Sequence, residues 1–349
     1  MPGTAAASPV DVVRHLVGLQ AQIPSAVALV IRARTSGACI GDVDRERDNG
    51  SIVRTWLMRR TLHLVAADDL DWLLAVLAPT LLARAGRRYG QLGLDDGTLS
   101  RSVDVLIDML GDGPLTRAQL FDRLAAAGID PSGQRGIHIV QHAALRGAVC
   151  FGPDRGNEPT WVSRPAGSAA GVDRAEALAE LARRYQAGYG PSDAHDLAAW
   201  SGLSVTDANQ AWHLAGESHG DVDRDGERVV RLLPHFDPYL LGYAHRDLVV
   251  PAEHAKKVWT GGGFILPTVV VDGRAVGTWR LDRRNDTITV TEFGASRLDE
   301  TVTAGIDAEV ADIGRFLGGN VIRRREGSRR PRLAGGPKRR SARRQPTSP

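Results

Sequence analysis

Cysteine is nearly absent from this chain. Cys39 and Cys150 are the only two, and they stand far apart. That excludes a disulfide framework and a four-cysteine zinc site, and it suits a reducing, cytoplasmic setting. No run of eighteen apolar residues occurs, and residues 1–10 lack the basic and apolar regions of a leader, so neither a membrane span nor export is expected. Familiar catalytic signatures are missing as well. There is no Gly-x-Ser-x-Gly elbow, and Gly261-Gly262-Gly263 lacks the Gly-Lys-Ser/Thr of a phosphate loop. His138 and His142 have a metal-compatible helical spacing, but the Glu of His-Glu-x-x-His and an obvious third ligand are absent. They are expected to pack or to touch a phosphate, and no metal or other cofactor is expected. With 42% hydrophobic and 5% aromatic residues, the 349-residue chain has enough material for two or three soluble domains.

Charge is unevenly spread. Residues 323–344 hold eleven Arg and Lys against the single acid Glu326, whereas the other segments hold 33 basic and 40 acidic residues. The pI of about 9.1 therefore belongs to the C-terminal tail. Its Gly, Pro, Ser and Arg cannot bury a core, so residues 321–349 are expected to form a disordered basic tail. Such a tail supplies sequence-independent attraction to phosphates. A nucleic-acid-binding body of net charge −7 would have to gather its positive charge on one face.

What is present begins with Gln20 and Gln22, in Leu-Val-Gly-Leu-Gln-Ala-Gln-Ile-Pro. Residues at i and i+2 point to the same side only in an extended segment. Pro24 biases Ile23 away from helical angles, so a helix beginning near residue 9 is expected to end here. The two uncharged amides then converge, able to orient a water or an oxygen without taking up a proton.

The rest of the chain reads as α+β, with tandem winged-helix (helix-turn-helix) motifs and a small C-terminal antiparallel β unit. In residues 1–95, helices over 9–35 precede a strand pair at 52–66 and a helix over 68–90 capped by Asp68. Residues 96–170 show the pattern more clearly: a helix at 101–110, a second capped by Thr116, a third ending near Gly147, and a hairpin across the loop 152–159. Three helices and a hairpin make a winged helix, whose third helix faces a DNA groove. Residues 171–235 suggest a third copy, with strand-like 228–233 at its end. Residues 236–320 are dense in Val, Thr and Ile, with a hairpin turn at Asp272-Gly273 and a closing helix around 303–318.

Four blocks in this order carry a family resemblance: Gln20-Ala21-Gln22, Arg54 through Val65, His235-Phe236-Asp237-Pro238-Tyr239 with Arg246 beyond it, and Phe264 through Arg280. They resemble the bacterial winged-helix DNA glycosylases that include AlkZ and YcaQ, over roughly residues 8–320. The AlkZ branch carries Gln, an apolar residue, then Gln; the YcaQ branch carries Gln-x-Asp. The resemblance implies a monofunctional glycosylase that removes cationic N7-alkylated purines, possible crosslinks included, from double-stranded DNA and leaves an abasic site. It implies Gln20 and Gln22 as catalytic residues and Arg54, Arg59, His63 and Arg246 as DNA contacts, in a monomer that works at the nucleoid. Asp237 falls on a motif block too; for it, as for Arg54, Arg59 and Arg246, a structural ion pair is the other reading, and for His63 the other reading is an active-site contact. Arg60 departs from the pattern, because relatives often have a small residue there. A non-catalytic winged-helix regulator is the alternative, and a resistance protein for a single genotoxin is a narrower version of the enzyme.

Overall fold

The computed structural model describes residues 8–164, 171–216, 228–294 and 298–325. The N-terminal part runs α1 (Pro9–His15), β1 (Leu19–Gln20), α2 (Pro24–Arg32), α3 (Ile40–Asp48), β2 (Ile52–Trp56), β3 (Leu62–Ala66) and α4 (Leu70–Gln91). Next come α5 (Asp96–Gly111), β4 (Leu115–Thr116), α6 (Arg117–Ala126), α7 (Arg135–Leu145), β5 (Val149–Phe151) and β6 (Thr160–Ser163). Three helices follow, α8 (Arg174–Tyr189), α9 (Ala194–Ser201) and α10 (Val205–Ala215). The last part comprises β7 (Val230–Leu233), α11 (Pro238–Leu241), α12 (Ala255–Val258), β8 (Trp259–Gly261), β9 (Phe264–Ile265), β10 (Thr268–Val271), β11 (Arg274–Asp282), β12 (Thr287–Glu292), α13 (Glu300–Phe316) and β13 (Ile322–Arg325).

Local chemistry accounts for most helix starts. Ser8 caps α1, Asp95 caps α5, and Thr116 forms a capping box with Gln119 at α6. Asp193 and Asp196 do the same at α9, which Gly202 closes in a left-handed conformation. Asp272 and Gly273 both have positive φ, the pairing a tight hairpin between β10 and β11 requires.

Strands of the first two segments join in a single six-stranded sheet, in the order β1-β3-β2-β5-β6-β4. A five-stranded sheet, β13-β12-β11-β10-β7, forms the C-terminal part, with the separate pair β8-β9 beside it. A large apolar core runs from α1 through α13, and a smaller one gathers Phe236, Leu240, Val250, Val258 and Ile265.

Four sequence expectations need correction. The first helix ends at His15 because Val17 (φ 62°) and Gly18 (φ 143°) turn the chain, and Pro24 begins α2 rather than ending a helix. Asp68 does not cap α4; neighbouring Asp69 is buried and taken by Arg184 and Trp72. Strand β7 pairs with β10 in the C-terminal sheet instead of forming a wing on α8–α10. Residues 322–325, expected to open a disordered tail, form β13, parallel to β12, with Arg323 bound to Asp307 at 3.2 Å. The remainder of that tail lies outside the described residues.

Candidate active site

Gln20 closes β1 and stands opposite His63 of β3. Ala21 keeps the extended line by donating to the Leu62 carbonyl at 2.7 Å. Gln20 and Gln22 therefore project to the same side, as their spacing predicts, and their amides hydrogen-bond to each other. Gln20 is 9% exposed, whereas Gln22 lies open to solvent. Ile23, at extended angles before Pro24, directs the chain into α2.

The turn between β2 and β3 supplies the next residues. Arg59 (φ 55°) and Arg60 (φ 61°) are both left-handed, a conformation that side chains rarely adopt and glycine adopts freely. This is a backbone reason for a small residue at position 60. The two side chains reach different partners. Arg59 Nη2 donates to Gln20 Oε1 at 3.2 Å, while Arg60 Nη2 donates to Gln141 Oε1 on α7 at 2.7 Å. Gly202 makes room for the turn, since a Cβ there would stand 3.2 Å from the Arg59 backbone nitrogen.

The amide orientations follow from donor chemistry. A guanidinium only donates, so Gln20 must offer its oxygen to Arg59 and its nitrogen to Gln22. Gln22 must then accept through its oxygen, which leaves its own amide nitrogen at the open end of the chain.

His63 is 2% exposed, and its Nδ1 donates to the Thr61 carbonyl at 3.1 Å. Burial, reinforced by the Arg59 charge, pulls its pKa down to about 3. The ring is neutral near pH 7 with Nε2 unprotonated. So deep a ring offers no surface to a DNA backbone, and of the two expected places it takes the one across the strand pair from Gln20. Arg246 is exposed, lies over Trp259 at 5.2 Å from the ring centroid, and adds its charge to the burial that lowers the Arg59 pKa. Arg54 is not brought to this group. It pairs in register with Leu64, one residue out of phase with His63, and so faces the opposite side of the sheet.

Other sequence candidates have structural duties. Asp237 is fully buried and bound twice by Arg34, at 2.9 and 2.7 Å, so the ion-pair reading holds. His138 and His142 set their rings edge-on to Tyr89, with centroids 6.2 and 5.5 Å away. No group of three metal-ligating side chains exists among the described residues. No carboxylate there hydrogen-bonds to Gln20, Gln22, Arg59 or His63. Ile23 and Ser25, just beyond Gln22, open onto a groove of about 570 Å³ whose other walls include His235, Trp279, Arg280 and Arg283. Sequence reasoning missed Gly202 and Gln141. The glycine turn after α9 was visible, but nothing in it pointed to a turn more than a hundred residues earlier.

The family model for AlkZ-like DNA glycosylases matches residues 13–316. The chain belongs to that family. The glycosylase is 31% identical over 347 residues to an interstrand DNA cross-link repair glycosylase of Streptomyces sahachiroi, covering 88% of this chain and 90% of the relative. Its structure resembles that of the S. sahachiroi DNA glycosylase AlkZ with a TM-score of 0.74 and 25% identity, covering 93% of this chain and 95% of the other. The mixed α+β fold is thus a family fold, and the glycosylase is an enzyme rather than a non-catalytic regulator. No helix of the described residues is long and apolar enough to cross a membrane.

Proposed function

We propose that this glycosylase hydrolyses the N-glycosidic bond of cationic N7-alkylated purines in double-stranded DNA, with Gln20 and Gln22 as the catalytic pair. The observation that carries this reading is the hydrogen-bonded line Arg59–Gln20–Gln22, with no carboxylate bound to it among the described residues. An ordinary base leaves as an anion and needs an acid or strong charge stabilisation. An N7-alkylpurine already carries a positive charge and leaves neutral, so the enzyme needs chiefly to place water and deoxyribose. In our reading Gln22, at the open end, holds the attacking water. Gln20, fixed from both sides, sets the Gln22 amide and faces the sugar. His63 is too weak a base at a pKa of about 3 to deprotonate that water and serves as a neutral support.

The cross-link activity in the relative's name supports extending the substrate range to interstrand crosslinks, and the groove that starts at Ile23, one residue past Gln22, has about 570 Å³ for a bulky adduct. We also read α5–α7 with β4–β6 as a winged helix presenting α7 to DNA, and Arg59 and Arg246 as phosphate contacts of a monomeric enzyme in the cytoplasm. The deciding experiment is single-turnover incubation of EDTA-treated protein with duplexes carrying N7-methylguanine or a bulky N7 adduct, followed by measurement of free base and alkali-labile sites. Free base with an intact strand supports the reading. No base from any N7 adduct sinks it.

A further inference from the structure

A smaller cavity of about 160 Å³ lies on the other face of the β1–β3–β2 strands from the glutamines, where Ala21, Pro24, Ser25, Arg47, Arg54 and Leu64 line it. Arg54 is 8% exposed and stacks on Phe151, 4.0 Å from the ring centroid. Its guanidinium makes no hydrogen bond among the described residues, and its buried Nε has no partner. The acids nearby do not serve it. Arg47 binds Asp154 at 2.6 Å and lies 3.8 Å from Asp44. A guanidinium left this far from water without an acceptor is costly, so an oxyanion is the group its donors lack.

A second donor comes from the start of α2. Its N-cap is Ile23, which has no side chain to cap with, and Pro24 has no N–H. The Ser25 amide therefore finds no protein acceptor among the described residues. Ser25 lines both this cavity and the groove that starts at Ile23, so the two share a rim three residues along the chain from Gln22. The charged groups in the lining, Arg47, Arg54 and Asp44, sum to +1.

We propose that this cavity seats one phosphodiester of the DNA strand flanking the alkylated nucleotide, held by the Arg54 guanidinium and the first-turn amide of α2. Fixing a phosphate here registers the strand on the far side of the Gln-Ala-Gln segment from the reacting sugar. The proposal rests on the active site being at Gln20 and Gln22, and it extends that reading to a contact the glutamines do not make.

Binding without chemistry separates the two. The full-length protein is titrated with a duplex containing a tetrahydrofuran abasic-site analogue and a single methylphosphonate, moved one linkage at a time through the site. In the wild type, one neutral linkage should weaken binding about tenfold, the scale of a single charge-assisted contact. Arg54→Met should bind the unmodified duplex with the same loss and be insensitive to that linkage. Ser25→Asp puts a carboxylate in the first turn, which stabilises the helix but repels a phosphate, so it should behave alike while folding normally. It also serves if Arg54→Met does not fold. If either folded variant keeps the wild-type sensitivity at every linkage, the cavity holds no phosphate and Arg54 only packs on Phe151. Because no base is released in this assay, failure of the N7-alkylpurine reading leaves its outcome intact.

Discussion

Arg59 donates to the Gln20 side-chain oxygen at 3.2 Å, and this contact sets the polarity of the catalytic amides. The chain of donors runs from the half-buried Arg59 through buried Gln20 to Gln22, and the Gln22 end lies in open solvent. Removing the first donor should free the Gln20 amide to flip. Arg59→Met is expected to slow single-turnover base release about 10- to 100-fold, the scale of one hydrogen bond to a charged group. It should also weaken DNA binding by a smaller factor. A rate unchanged at saturating enzyme would show that Gln20 is oriented without Arg59.

The two glutamines should act in the chemical step. Gln20→Ala and Gln22→Ala are each expected to cut single-turnover cleavage about 100- to 1000-fold, as loss of a charge-stabilising donor commonly does. DNA affinity should stay near that of the wild type. Gln22→Asp should retain partial activity, because the YcaQ branch carries Asp there. Parallel losses in affinity and rate would assign the pair to docking.

His63 links stability to acid. Its folded pKa of about 3 lies below the ordinary value of 6.5, so the unfolded chain binds the proton first. Its contribution is full above pH 6.5 and drains away as pH falls from 6.5 toward 3, by at most about 1.4 kcal/mol per unit. His63→Gln should therefore show a flatter decline of stability between pH 7 and 5 in urea titrations. Equal slopes for variant and wild type would mean the ring titrates normally. The same pKa predicts no His63 inflection in the cleavage rate between pH 5 and 8.

The basic tail is divided by the fold. Val321 is buried and residues 322–325 complete the C-terminal sheet, so truncation after Gly319 should destabilise the protein. Truncation after Arg325 spares the sheet and still removes eight Arg and Lys. It should flatten the salt dependence of non-specific binding by several times the slope of about 0.9 per phosphate on duplex DNA. Single-turnover cleavage at saturating enzyme should not change. An unaltered slope would place the attraction wholly in the folded body.

Much was legible in the sequence because its cues are local. Thr116 is a helix cap, Asp272-Gly273 is a hairpin turn, and the i, i+2 spacing of Gln20 and Gln22 brings them together on an extended segment; α5, by contrast, starts at Asp96 behind its cap Asp95, five residues before the expected 101. Motif order also sufficed for the family. What the sequence left open depends on pairing between distant strands. Arg54 and His63 sit in one motif block, yet strand alternation and the β2–β3 register send them to opposite faces. Adjacent Arg59 and Arg60 part because a left-handed turn aims one at Gln20 and the other at α7. Strands β7 and β13 belong to a sheet built mostly from residues 268–292, a partnership that no local pattern encodes. Residue types and short spacings are written along the chain. Which face a side chain meets, and how far it is stripped of water, is decided only when strands and helices remote in sequence close around it.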